Sequence, residues 1–276
     1  VAGGGGGGGR TQTAGAPSEV GAAASDRRED LYVFRLEGIT LQKGERMVVP
    51  VAETVLPYED VYTLEIPFTP PPTAWPEIAE RLGRDPEAAA LARRMAAPKV
   101  MHEIRLTNEG PHPLTTAPAL VFQDGKVLAQ GLLGYTSVGG KVDLPLTTAV
   151  DIRSKKADVE EGREPTAVNW AGYAYARIDM EGEVELTNHK RKSVHVEVTR
   201  FVLGNADTAG HEGRIQVVNS LEDTNWTRWP TPVWWGWYRW PSWWYHFNGA
   251  SSIDWSLDLA AGETVTLGYT WHYYWR

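Results

Sequence analysis

The sequence predicts an all-β chain, a β-sandwich of about a dozen antiparallel strands with a short helical insertion near 75–97. Three observations carry this. Apolar residues alternate with polar ones at a period of two from residue 31 to the C-terminus, the pairs Lys43-Gly44, Asp124-Gly125 and Ala261-Gly262 punctuate the alternation as turns, and only one stretch keeps a helical period. The same pattern divides the chain into a glycine-rich extended arm at 1–30 and a sandwich domain at 31–276, which carries a tryptophan-rich loop at 225–247.

The arm opens with Gly3, Gly4, Gly5, Gly6, Gly7, Gly8 and Gly9 and continues in Gly, Ala, Ser and Thr. Such a segment buries too little apolar surface to offset its ordering entropy. It is read either as a flexible linker or as a backbone lying against a neighbouring chain, where glycine permits close approach.

Tyr32, Phe34 and Leu36 then alternate, Leu41, Met47, Val49 and Val51 flank the Lys43-Gly44 turn as a hairpin, and Tyr62, Leu64, Ile66 and Phe68 alternate again. Prolines at 70–72 stop the sheet. Within 75–97, Ile78 and Leu82 are four apart, Asp85-Pro86 has the form of a helix start, and Leu91 and Met95 are four apart, so two short helices are expected.

Strands resume with Val100, His102, Ile104 and Leu106, followed by a hairpin at Asp124-Gly125 and a long alternation from Val142 through Leu144, Leu146 and Val150 to Ile152. Residues 154–165 read as a charged loop, with strands at 173–180, 184–186 and 194–198. E-V-E-L-T-N at 183–188 echoes E-I-R-L-T-N at 103–108, which suggests two sandwich halves of similar local logic. The last hairpin is the most regular. Ile253, Trp255, Leu257 and Leu259, then Val265, Leu267, Tyr269, Trp271, Tyr273 and Trp275, place one apolar face toward a second sheet.

The loop at 225–247 holds eight of the thirteen tryptophans, no acid, three prolines and no regular period, so neither a strand nor a helix is expected there. At roughly 200 Å² per indole it presents about 1,600 Å², the size of a whole protein interface. Its own core, another subunit, a glycan or a lipid surface must cover it. The reading adopted is a subunit interface made by Trp226, Trp229, Trp234, Trp235, Trp237, Tyr238, Trp240, Trp243, Trp244 and Tyr245.

A net charge of -8 and a pI near 5.4, with no concentrated basic face, argue against nucleic acid as a partner. No apolar run is long enough to span a membrane, and Val1 in place of methionine is read as processing or excision, which fits export. The pairs His102-Glu103 and His211-Glu212 lack the second histidine of a zincin, no G-x-S-x-G occurs, and the glycine run lacks the G-K-[ST] of a phosphate loop. Carboxylates at Glu160-Glu161 and at Asp254 and Asp258 read as solvated strand faces, and Asn205, Asp207, Glu222 and Asp223 follow no calcium spacing. Neither catalysis nor a metal nor a cofactor is therefore expected.

The stretch L-Y-V-F-R-L-E-G-I-T-L-Q-K-G-E-R-M-V-V-P-V, the run from Leu106 to Ala119 with D-G-K-V after it, and I-D-W-S-L-D-L-A-A-G-E-T-V-T-L-G-Y-T-W resemble the C-terminal domain of bacterial mucoidy inhibitor A-like proteins. The resemblance covers about residues 30–276 and implies a β fold in an exported or envelope protein, with no catalytic residues to carry over. Together these features point to a structural, self-assembling extracellular or cell-surface protein, filament-like or surface-layer-like, whose partners are other copies of itself. The alternative is a carbohydrate-binding module in which the tryptophan-rich loop stacks on a glycan.

Overall fold

The computed structural model describes residues 24–28, 31–35, 38–40, 42–48, 53–71, 74–84, 86, 90, 98–219, 235 and 238–276. The arm glycines 3–9, Trp226, Trp229, Trp234 and Trp237, and most of 85–97 lie outside them. Two compact units result, one from the residues up to Leu56 with Gly110–His112, the other from Pro57–Glu109 and Pro113–Arg276.

In the first unit, β1 (Ala24–Arg28) pairs antiparallel with β2 (Leu31–Arg35), so the end of the predicted arm forms a hairpin with its own chain. Gly44, at a φ of 92°, makes the predicted turn, and Glu45 N–H donates to Gln42 C=O. The described residues around it, 42–48, form that turn without strands.

The second unit is all-β. A six-stranded sheet in the order β12-β13-β10-β3-β4-β7 faces a four-stranded sheet in the order β11-β14-β9-β8, and β5 and β6 form a separate hairpin. The first sheet comprises β3 (Tyr58–Ile66), β4 (Val100–Thr107), β7 (Lys141–Thr148), β10 (Val194–Leu203), β12 (Arg214–Val218) and β13 (Ala250–Leu259). The second comprises β8 (Ile152–Trp170), β9 (Tyr173–Asn188), β11 (Asn205–Ala209) and β14 (Thr264–Trp275), and the hairpin is β5 (Ala117–Gln123) with β6 (Lys126–Leu133). Tyr62, Leu64, Ile66, Val196, Val198, Ile253, Trp255 and Leu259 from one sheet meet Ile178, Val184, Leu186, Leu267, Tyr269, Trp271 and Tyr273 from the other in one buried core. These are period-two positions, so alternation makes the sandwich, and the odd-numbered residues of the final hairpin face inward as predicted. Ile78 of α1 (Trp75–Arg84) joins the same core.

The repeated L-T-N has a physical meaning. Asn108 and Asn188 are both fully buried at the end of a strand. Asn108 N–H donates to Gly140 C=O and Asn108 C=O accepts from Gly139 N–H, while its Nδ2 donates to the carbonyls of Thr136 and Ser137. Asn188 N–H donates to Glu263 C=O and Asn188 C=O accepts from Gly262 N–H, while its Nδ2 donates to the carbonyls of Leu259, Ala260 and Lys192. The first two of those carbonyls stand at the same offsets as their counterparts at the other corner, and Gly139 and Gly262 share a φ near 80°. Each asparagine thus closes the turn that begins the neighbouring antiparallel strand.

Several details differ from the sequence pattern. β8 runs through the expected charged loop at 154–165, because pairing with β9 from Ile152↔Asn188 to Trp170↔Tyr173 makes it an edge strand with a solvated outer face. The strands expected at 173–180 and 184–186 are one strand, β9, continuous through Gly182, over which the ring of Tyr269 lies: a Cβ there would come within 2.4 Å of it. The alternation from Val142 to Ile152 breaks after Thr148 at a turn. Not all pairing is antiparallel, since β10 and β3 run parallel from Val196↔Tyr62 to Arg200↔Ile66.

Candidate functional site: a capped end and a bare hairpin

Of the ten aromatic residues read as an interface, Trp235, Tyr238, Trp240, Trp243, Trp244 and Tyr245 are described, and all six sit on the core of their own chain. Trp244 is 2% exposed, at the start of a single helical turn, α2 (Trp244–Phe247), that the prolines did not suggest. Trp235 and Trp240 stack with centroids 4.5 Å apart, and Trp240 Nε1–H donates to Trp235 C=O at 3.2 Å. Trp243 and Trp244 both meet Trp275 edge-on, at 5.6 and 5.5 Å, so the end of β14 is the anchor of the cluster. Asn248 then staples the segment down: its Nδ2 donates to Tyr274 C=O at 3.0 Å and its Oδ1 accepts from Tyr274 N–H at 2.7 Å. Burial pushes the hydroxyls of Tyr238 and Tyr245 above the usual tyrosine range, as expected of a cap.

Among the described residues the cluster opens to solvent at the end of β8 and β9. Trp170 and Tyr173 flank the Ala171-Gly172 turn of β8 and β9 and are 42% and 48% exposed. His246 lies 5.1 Å from Trp170, and the Arg276 guanidinium lies 3.6 Å above the Tyr173 ring.

A second apolar surface has no such cover among the described residues. Asp124 and Gly125, at φ of 49° and 73°, form the left-handed pair that joins β5 to β6. Ala117, Ala119, Val121 and Leu133 are half-buried on one face of this hairpin, where Gly131 lies so near Leu144 of β7 that a Cβ would come within 3.1 Å of it. The other face carries Leu120, Phe122, Val127 and Leu132, each between 57% and 64% exposed, with Leu128 at 48%. Five such side chains present on the order of 500 Å² of apolar surface, toward the top of the range for a monomer. No lysine or carboxylate interrupts them along β5, A-P-A-L-V-F-Q. Sequence reasoning placed this hairpin but missed its surface. The signal was there, since β5 is apolar at both parities, the pattern of a strand covered on both faces.

The isolated polar candidates prove to be local pairs. His102 Nε2 meets Asp60 Oδ1 at 2.7 Å, its ring stacked on Tyr62, and Asp254 and Asp258 take hydrogen bonds from Thr199 and His195. Among the described residues no helix is long and apolar enough to cross a membrane. In comparison with known proteins, the chain matches no family model, no curated protein and no solved structure.

Proposed function

We propose that this protein is a non-catalytic, self-assembling structural component of the bacterial cell surface or extracellular space, and that its partners are copies of itself. The observation that carries this is the bare apolar face of the β5–β6 hairpin. Two such faces apposed about a two-fold axis bury roughly 1,000 Å² between them, the threshold for a specific interface, and an uncharged apolar face is complementary to itself. The strand-and-turn resemblance to envelope proteins supports the location, and the glycine-rich arm at 1–30 is the second subunit contact, able to add its backbone to a sheet edge. The test is light scattering of Leu120→Glu/Phe122→Glu against the unaltered chain. Loss of assembly with an unchanged melting temperature is expected, and full assembly by the variant would overturn the proposal. Deleting residues 1–30 weakens assembly and leaves the β body folded.

The carbohydrate-binding alternative moves from the tryptophan-rich loop to Trp170 and Tyr173, the aromatics of the cluster that reach solvent beside His246 and Arg276. If it is the right one, Trp170→Ala lowers glycan retention in a pull-down while assembly stays intact. An unchanged retention removes it.

A further inference from the structure

Val194, Val196, Val198, Arg200 and Val202 form the inward face of β10, so a guanidinium stands in an apolar row. Arg200 is fully buried and spends all five N–H groups. Nε donates to Tyr269 Oη at 2.9 Å, Nη1 to the carbonyls of Pro67 and Phe201, and Nη2 to Thr69 Oγ1 at 3.3 Å and Asp158 Oδ2 at 3.0 Å. Tyr269 Oη–H in turn donates to Asp158 Oδ1 at 2.7 Å.

Two residues before Asp158 on the inward face of β8 is Lys156, whose ammonium is bonded to the same carboxylate. Two cations therefore share one anion. Both lysine and aspartate are largely enclosed, with side chains 19% and 12% exposed, and the site carries one positive charge in excess. Burial first, and the nearby Arg200 second, push the Lys156 ammonium below its usual range. Lys156 and Asp158 line a cavity of about 240 Å³ whose remaining wall is mostly apolar, from Pro71, Met180, Val202, Leu203 and Trp271. An apolar cavity of about 150 Å³ is known to take up benzene, so this one has room for roughly eight to ten heavy atoms.

We propose that this cavity binds a small organic monoanion, with its carboxylate on the Lys156 ammonium and its apolar body against Met180, Val202, Leu203 and Trp271. Of the two cations only the lysine has N–H groups to spare, because Arg200 is saturated by the protein. The ligand cancels the excess charge and supplies the ammonium with a second acceptor, while the arginine holds Asp158 in place.

Isothermal titration of the full chain with benzoate, and with benzyl alcohol as its uncharged counterpart, tests this. Saturable binding of benzoate is expected, weakened roughly ten- to hundredfold for benzyl alcohol and by the same factor in Lys156→Met, the worth of one hydrogen bond to a charged group. A second measurement needs no variant: benzoate should slow acylation of the Lys156 amine in the native chain, read by peptide mass spectrometry. Equal benzoate affinity in Lys156→Met, absence of binding up to about 10 mM, or an unprotected Lys156 at saturating benzoate would each overturn the assignment.

Discussion

Asn108 and Asn188 make matching bonds at matching offsets, yet the strands that meet at them lie in different surroundings. Around Asn188 the neighbours Leu186, Leu259 and Leu267 are wholly buried, because the opposite sheet of the same chain lies over them. Around Asn108, Tyr58 beside Leu106, together with Tyr135 and Val138, is more than half exposed, and the β5–β6 hairpin next in sequence exposes Leu120, Phe122, Val127 and Leu132. The same turn device thus works in both settings, and what differs is the layer above it. One corner is covered by the opposite sheet of its own chain, and the other, among the described residues, is not.

The largest expected effect lies at the completed end. Trp244→Ala removes a fully enclosed indole and should lower stability by about 3–5 kcal/mol, seen as a lower urea midpoint. If assembly fell instead and the melt did not move, the capped end would be the interface and the two regions would exchange roles.

Next come the corners themselves. Asn188→Ala leaves the Lys190 N–H and three carbonyls without their partner and should cost about 2–3 kcal/mol, against about 1–2 for Asn108→Ala, whose amide bonds to Thr136 and Ser137 are longer, at 3.2 and 3.3 Å. Equal costs, measured by chemical denaturation, would mean that the covering layer adds nothing to the device. The hairpin variant Leu120→Glu/Phe122→Glu should move the stability of the dissociated chain by under about 0.5 kcal/mol, since those side chains are already in water.

The smallest effect is a pH dependence on the outer face of the six-stranded sheet. Arg105 is clamped by Asp143 and Glu197, and its hydrogen bonds hold the Glu197 carboxyl below the usual range. A carboxyl lowered in the folded state stabilises above its unfolded pKa of about 4.3 and loses that contribution as pH falls through the folded value. Acidification from neutral pH should therefore lower the melting temperature of the native chain more than that of Arg105→Met. Parallel titration curves would assign the acid sensitivity elsewhere.

How much of this was legible depends on whether the controlling contact is local. The final hairpin could be read because Trp255, Leu257, Val265 and Tyr269 alternate without a break, and the Asp124-Gly125 turn because two left-handed residues need that chemistry. β8 could not, since K-K-A-D-V-E-E-G-R-E-P-T has no strand preference and is held extended by its pairing with β9. The parallel pairing of β3 with β10 leaves no trace in either strand. The seating of the described loop aromatics was not legible for a related reason: composition gives the area to be covered, whereas Trp275 and Tyr175, which receive Trp243, lie far along the chain from each other. Lys156 and Arg200 passed unnoticed as ordinary charges, although an arginine at a period-two position among valines was the available signal.

The parallel pair has a consequence in time. Tyr62 and Val196 are partners at the centre of the six-stranded sheet, so β3 waits for about 130 further residues before its neighbour exists, roughly 7–26 s at ordinary rates of synthesis. β4 can pair with β3, and β7 with β4, early, but the central joint of the sheet closes only when the second half of the chain arrives, which places this protein among slow folders of high contact order. During that interval the residues of the hairpin at 117–133 have already been synthesised. The apolar face that is exposed among the described residues of the finished chain is therefore exposed during synthesis as well, before the central joint of the sheet has closed.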